Sequence, residues 1–259
     1  MTTIDALARV VGREPAAVIS DYDGTLAPII DDPARARPLP AAADALHALV
    51  GAFELVAVVS GRPVDFLHEH LPFDGLTIVG QYGLERLVDG QIVVDPRALA
   101  YADAVARAAT DAASTWPDLF VERKGRIAVT LHWRTRPDLA LSQPDLDAFA
   151  AGYGLVAHAG RRSCELRTPV PVDKGTTVDE LLAMGPGCAH AAFFGDDAGD
   201  LSAFDALDRC ARRADGTESI TVKVAVRSPE APPDLLRRAD LVVDGPEGVA
   251  DALRSLAPR

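Results

Sequence analysis

The chain has 259 residues, 48% of them hydrophobic and 25% charged, enough apolar material for one large domain or two modest ones. Its 20 glycines and 19 prolines fall well short of the roughly 25–30% combined share that marks low-complexity chains. A net charge of −12 sets most of the surface against nucleic-acid phosphate and anionic lipid, so an anionic substrate needs a local metal or a few placed Lys and Arg. Cys164, Cys188 and Cys210 are odd in number and lack metal-type spacing, which argues against a disulfide framework and a zinc site. From Met1 to Ser20 charges interrupt every apolar run. That pattern predicts neither a signal peptide nor a spanning helix, and so a soluble, cytoplasmic protein without nucleic-acid or membrane partners. Nothing in the sequence speaks to oligomeric state.

In chain order, Ala17-Val18-Ile19 is a short continuous apolar run that stops at Ser20-Asp21. A helical stretch, Ala41–Val50, follows, and then Leu55–Val59 stops at Ser60-Gly61-Arg62. Much later Ala191–Phe194 stops at Gly195-Asp196-Asp197, and Ile220–Val226 and Leu241–Val243 follow the same pattern. Continuous apolar runs of this length, separated by helices, predict strands buried on both faces of a parallel sheet. Ligands bind outside the carboxyl ends of such strands. Asp21, Ser60 and Asp196 are therefore expected at one edge.

The middle third follows another pattern. Ile127, Val129, Leu131 and Trp133 alternate with Thr130, His132 and Arg134, the period of a half-buried antiparallel strand. Leu84–Val94 predicts a hairpin turning at Asp89-Gly90, a pair that suits a type I′ turn. Pro96–Ala113 is Ala-rich and helical, Ser142 is a candidate cap for a second helix, and Gly154–Arg167 places Ser163, Glu165 and Arg167 on one face. The simplest assembly is an inserted α+β domain at residues 82–168, with helices on one side of an antiparallel sheet and its polar side open. Residues 1–81 and 169–259 then form a Rossmann-like parallel-sheet core.

The chemistry-bearing residues are Asp21, Asp23, Ser60, Lys174 and the cluster Asp196, Asp197 and Asp200. Two carboxylates on a Gly-containing turn, Asp21-Tyr22-Asp23-Gly24, can divide nucleophile and proton carrier between them. Taken alone, Asp23-Gly24 is a common solvated turn. A second acidic cluster arriving at the same edge would be electrostatically costly without a cation. Mg²⁺ suits a couple of carboxylates, waters and a phosphate. Ser60-Gly61-Arg62 offers a hydroxyl and a backbone amide to a phosphoryl oxygen. Lys174 opens a helix, where a cation opposes the dipole.

In combination these elements resemble the four motifs of haloacid dehalogenase-superfamily phosphatases. Gly80-Gln81-Tyr82-Gly83-Leu84-Glu85, Val121-Glu122-Arg123-Lys124, His132-Trp133-Arg134 and Glu165-Leu166-Arg167 narrow the resemblance to trehalose-6-phosphate phosphatases. Three positions depart from that pattern: Tyr82 stands in place of His, Gly199-Asp200-Leu201-Ser202 in place of Thr-Asp-Glu-Asp, and Thr168 in place of Pro.

The resemblance implies an α/β cap at the insert and an aspartyl phosphate formed on Asp21, with Asp23 as acid and then base. It further implies Mg²⁺ held by Asp21, the Asp23 carbonyl and Asp196. Ser60 and Lys174 would neutralise the phosphoryl oxygens, while Asp197 and Asp200 would orient metal waters and Lys174. Arg62, Glu85, Glu122, Lys124, Arg134 and Glu165 are expected at the sugar phosphate. Solvated ion pairs are the plainer reading of the cap residues. Two alternatives stay open at this point: a phosphatase of sucrose phosphate or mannosyl-phosphoglycerate, and a non-catalytic sugar-phosphate-binding regulator.

Overall fold

The structure, a computed structural model, describes residues 7, 10, 13, 15–30, 32–160, 162–184, 187–212, 219–228 and 231–257. Most of residues 1–14, on which the expectation of no leader rested, lie outside the described residues. Among the described residues no helix is long and apolar enough to cross a membrane. The chain divides into two compact units, residues 1–91 with 172–259, and residues 92–171.

The first unit is built on an eight-stranded sheet, whose last strand runs past residue 91 to residue 94. Its strands are β1 (Ala16–Ser20), β2 (Leu55–Val59), β3 (Thr77–Gly80), β4 (Glu85–Val88), β5 (Gln91–Val94), β10 (His190–Gly195), β11 (Thr221–Arg227) and β12 (Leu241–Asp244). They run in the order β12-β11-β10-β1-β2-β3-β4-β5. From β12 to β3 every pairing is parallel, with Ser20 opposite both Phe194 and Val58. β4 then joins antiparallel to β3.

Continuous apolar runs are required because both faces are covered. Val18, Val56, Val58 and Phe194 pack into one cluster with the helices α1 (Pro40–His47), α2 (Val64–His70) and α9 (Gly245–Leu256). Ile19, Ala57, Val59 and Phe193 pack into another with α6 (Lys174–Ala183), α7 (Asp200–Ala211) and α8 (Pro233–Arg238). Each such Val, Ile or Phe contributes about 1.5–3 kcal/mol by leaving water.

The hairpin at Asp89-Gly90 is present, with φ of +49° and +72° at its two central residues. It extends the large sheet, whereas the sequence reading grouped it with the insert. The reason is register: Gly80 and Val79 of β3 pair with Glu85 and Arg86, so the strand after the turn continues that sheet. β3 itself was not singled out from the sequence, being a four-residue run.

The second unit holds a four-stranded antiparallel sheet of β6 (Phe120–Lys124), β7 (Ala128–His132), β9 (Ser163–Arg167) and β8 (Val156–Gly160), in the order β6-β7-β9-β8. Its apolar face, with Val129, Leu131, Cys164 and Leu166, packs on Val105, Ala108 and Ala112 of α4 (Ala102–Thr115) and on Leu146 and Ala150 of α5 (Gln143–Ala151). The Ala-rich stretch breaks into two helices, α3 (Pro96–Leu99) and α4. Ser142 caps α5 by accepting from the Asp145 N–H.

Candidate active site

β1, β2 and β10 run parallel and in register, so the residues that follow them emerge at one edge. Asp21 follows β1, and its N–H donates to the Phe194 carbonyl of β10 at 2.9 Å, fixing its backbone between the strands. Lys174 opens α6, whose start is held by a capping box: Asp173 accepts from the Thr176 N–H while Thr176 accepts from the Asp173 N–H. That local cap accommodates a cation at an unfavourable helix end.

Only 3% of Lys174 and 3% of Asp21 remain exposed. The Lys174 ammonium lies 3.0 Å from Asp21 Oδ1, 2.7 Å from Asp200 Oδ1 and 3.8 Å from Asp197 Oδ1. Burial opposes its charge, but Asp200, Asp21 and Asp197 outweigh burial and raise its pKa well above the ordinary lysine value. Burial raises the Asp21 pKa well above the carboxylate range, with Lys174 pulling the other way.

Asp200 is fully buried and completely engaged. Its Oδ1 accepts from Lys174, and its Oδ2 accepts from the backbone N–H groups of Asp196 and Asp197 at 2.8 and 3.0 Å. Burial pushes its pKa up to about 6, against the pull of Lys174. Asp197 is exposed, and Lys174 holds its carboxyl below the usual range.

Asp196 differs from both. It is buried, its Oδ1 finds no hydrogen-bond partner among the described residues, and Ser228 Oγ reaches its Oδ2 at 3.4 Å. Burial together with Asp200 and Asp197 pushes its pKa up to about 8. Carboxylate oxygens of Asp21, Asp196 and Asp200 lie within 4.8 Å of one another. With Asp200 taken up by Lys174 and two backbone amides, Asp21 and Asp196, the latter with an oxygen that has no partner among the described residues, are the carboxylates that suit a hard divalent cation. Gly24, at φ +76°, lies so close to the Asp196 carboxylate that a side chain there would overlap it.

Ser60 is buried at the end of β2, with its Oγ accepting from the Arg62 N–H. Asp23, 38% exposed at its side chain, is gripped by Arg62: Nε and Nη2 each donate to one carboxylate oxygen at 2.7 Å. Arg62 Nη1 donates to the Pro33 carbonyl, and the guanidinium lies 4.6 Å from the Phe66 ring centroid. This fork matches a carboxylate in shape as well as charge. Glu85 is also occupied, its Oε2 accepting the Val64 N–H at 2.9 Å at the start of α2. Burial raises its pKa, the Val64 bond opposing and Asp65 adding to the rise. Arg62 and Glu85, both expected at the sugar phosphate, thus spend these side-chain groups on Asp23 and on a helix end.

In the second unit one sheet face is polar. Register aligns Glu122, Thr130, Glu165 and His158 in a row, with Lys124, Ala128 and Arg167 in the row beside it. Lys124 Nζ donates to Glu165 Oε1 at 2.9 Å, Arg167 Nε to Glu165 Oε2 at 2.5 Å, and His132 pairs with Glu122 at 2.7 Å. Burial would raise the Glu165 pKa, but Lys124 and Arg167 overcome it and hold the carboxyl below its usual range. Phe120 stacks on His132 and stays 55% exposed. Arg134 lies two residues past the end of β7, half-buried.

Sequence reasoning missed Ser228 and Phe66. Ser228 had a signal, since it ends the β11 run in the same way that Ser60 ends β2. Phe66 had none, because its role depends on Arg62 folding over it.

The family profile described as trehalose-phosphatase matches residues 19–233. A trehalose-phosphate phosphatase of Mycobacterium avium is 35% identical over 206 residues, covering 76% of this chain and 52% of that protein. This chain therefore spans about half the length of that relative. The C-terminal domain of the Candida albicans trehalose-6-phosphate phosphatase superposes with a TM-score of 0.77 at 23% identity, covering 98% of this chain and 95% of that one. A haloacid dehalogenase-like hydrolase of Bacteroides thetaiotaomicron shares the fold with a TM-score of 0.61 at 14% identity, covering 93% and 98% of the two chains. With the profile running from Ile19 through the Asp21 turn and the acidic cluster, on a haloacid dehalogenase-like α/β fold, the chain belongs to the trehalose-phosphatase family.

Proposed function

We propose that the protein hydrolyses trehalose 6-phosphate to trehalose and phosphate in a Mg²⁺-dependent reaction. The observation that carries this reading is the buried Asp21 carboxylate, 3.0 Å from Lys174 and grouped with an Asp196 oxygen that has no hydrogen-bond partner among the described residues. Family membership and the named relatives support the substrate.

Asp21, Asp196 and the Asp23 backbone carbonyl would hold the cation. Once bound, it offsets negative charge as a carboxylate meets a phosphoryl group. An Asp21 oxygen attacks phosphorus, the bond from phosphorus to the sugar oxygen breaks, and Asp23 gives that oxygen its proton. Asp23 then takes a proton from the water that attacks the aspartyl phosphate, and phosphate leaves. Ser60 and Lys174 hold the equatorial oxygens, where charge resides during transfer. Asp200 and Asp197 keep Lys174 in place. Arg62 holds Asp23 aside until that carboxyl turns to the leaving oxygen.

The 92–171 unit is the cap in this reading. Glu122, Lys124, Arg134 and Glu165 would turn to the sugar hydroxyls, which offer many donors and acceptors and little charge, Lys124 and Glu165 giving up their mutual ion pair to do so. The test is phosphate release from trehalose, sucrose, mannosyl-glycerate and monosaccharide phosphates, with and without Mg²⁺. Preference for trehalose 6-phosphate with Mg²⁺ is expected. A flat profile removes the substrate, and no turnover on any phosphomonoester removes the phosphatase.

A further inference from the structure

One turn of the first unit is strained and has no place in the chemistry above. Gln81, Tyr82 and Gly83 follow β3 with φ of +50°, +61° and +127°. Two consecutive non-glycine residues in the left-handed region persist only where their surroundings over-determine them. Here the surroundings are the two elements that carry phosphate-binding residues.

On one side, the Tyr82 N–H donates to the Ser60 carbonyl at 2.9 Å and the Gln81 N–H to the Arg62 carbonyl at 3.0 Å. The Tyr82 ring covers Gly61 so closely that a side chain on Gly61 would overlap the phenol. On the other side, Thr177 Oγ1, one helical turn after Lys174, donates to the Tyr82 carbonyl at 2.7 Å. Thr177 is 1% exposed, and a Cβ on Gly83 would strike its hydroxyl. The peptide groups flanking Tyr82 therefore join the Ser60 loop to the Lys174 helix, elements more than a hundred residues apart in the chain.

We infer that the Gln81-Tyr82-Gly83 turn, locked by Thr177, is a positioning brace that sets the spacing of Ser60 and Lys174 for the transferred phosphoryl group. This inference rests on the phosphatase reading. A misplacement of about 1 Å in such a pair costs on the order of a hundredfold in rate, so a partial loosening is read in kcat rather than in KM.

The experiment is a graded series at one position, Thr177→Ser, Thr177→Cys and Thr177→Val, in the full chain with Mg²⁺. The substrates are p-nitrophenyl phosphate and trehalose 6-phosphate, and circular dichroism confirms the folded fraction. Thr177→Val is expected to lower kcat about tenfold with KM within about twofold, and to weaken orthovanadate inhibition in parallel while inhibition by phosphate scarcely moves. Thr177→Ser is expected within about twofold of the parent and Thr177→Cys between the two, so the series decides even if Thr177→Val does not fold. An unchanged kcat in Thr177→Val, or equal losses in Thr177→Ser and Thr177→Val, overturns the brace while leaving the phosphatase intact. A parent protein without turnover on either substrate overturns both.

Discussion

The two units handle charge in opposite ways. At the parallel-sheet edge, Lys174, Asp21, Asp196 and Asp200 are each buried, and backbone N–H groups fix the carboxylate of Asp200. On the antiparallel sheet, Glu122 and Lys124 are half-buried and pair with the side chains of His132 and Glu165. Groups held by backbone in a dry setting are preorganised and cost little to align during a reaction. Pairs made between side chains can be exchanged for a ligand's polar groups, provided that a buried member such as Glu165 keeps a partner. On the proposed function, this contrast would separate a rigid reaction centre from an adaptable recognition face.

The largest effect should come from the rigid side. Asp21→Asn is expected to lower phosphate release by at least about a thousandfold while the protein stays folded, since an amide is a poor nucleophile. Single-turnover assays on protein checked for deamidation measure it, and retained activity would assign the nucleophile elsewhere.

Cation removal gives the next effect. Asp196 has a folded-state pKa near 8 against 3.8 for the free group. Its protonated form is the one the fold favours, so its stabilising contribution is full below about pH 4 and is lost as pH rises to about 8. The metal-free protein is therefore expected to lose thermal stability between pH 5 and pH 8. Mg²⁺ should raise the midpoint more at pH 8 than at pH 6, because at pH 6 it must displace a proton. Asp196→Asn should reduce both trends, with Asp21 and Asp200, whose pKa values burial also raises, leaving a remainder. A Mg²⁺ response independent of pH would break the account of the acidic cluster.

On the adaptable side, Glu122→Ala or Glu165→Ala is expected to lower kcat/KM for trehalose 6-phosphate about tenfold or more. The same variants should leave p-nitrophenyl phosphate within about twofold. Equal losses on both substrates would make that face part of the frame, and the contrast between the units would disappear. The smallest effect belongs to Glu85. Glu85→Gln keeps an acceptor for the Val64 N–H and should leave KM unchanged and the melting temperature nearly so. A raised KM would return Glu85 to the sugar.

Much of the core was legible because its signals are local. Ala17–Ile19 and Leu55–Val59 are apolar without interruption because helices cover both faces, and each ends on the polar residue that reaches the edge. The alternation from Val129 to His132 likewise located the open face of the second sheet. The hairpin at Asp89-Gly90 was legible as a turn but not as part of the larger sheet. A turn fixes which strands are neighbours, whereas its sheet depends on β3 pairing with β4.

Residue chemistry and spacing along the chain, by themselves, determined the α/β fold class and marked Asp21, Asp23, Ser60, Lys174 and Asp196 as candidates. Only the tertiary structure decided what each side chain is free to do. Arg62 and Glu85 look like ligands in sequence, yet one grips Asp23 and the other accepts a helix N–H. It also distinguished Asp196, whose Oδ1 has no hydrogen-bond partner among the described residues, from Asp200, whose oxygens are taken by Lys174 and two amides. The physical reason is that a carboxylate's role follows from its hydrogen-bond partners and its burial. Those are set by residues tens to hundreds of positions away, which no local pattern records.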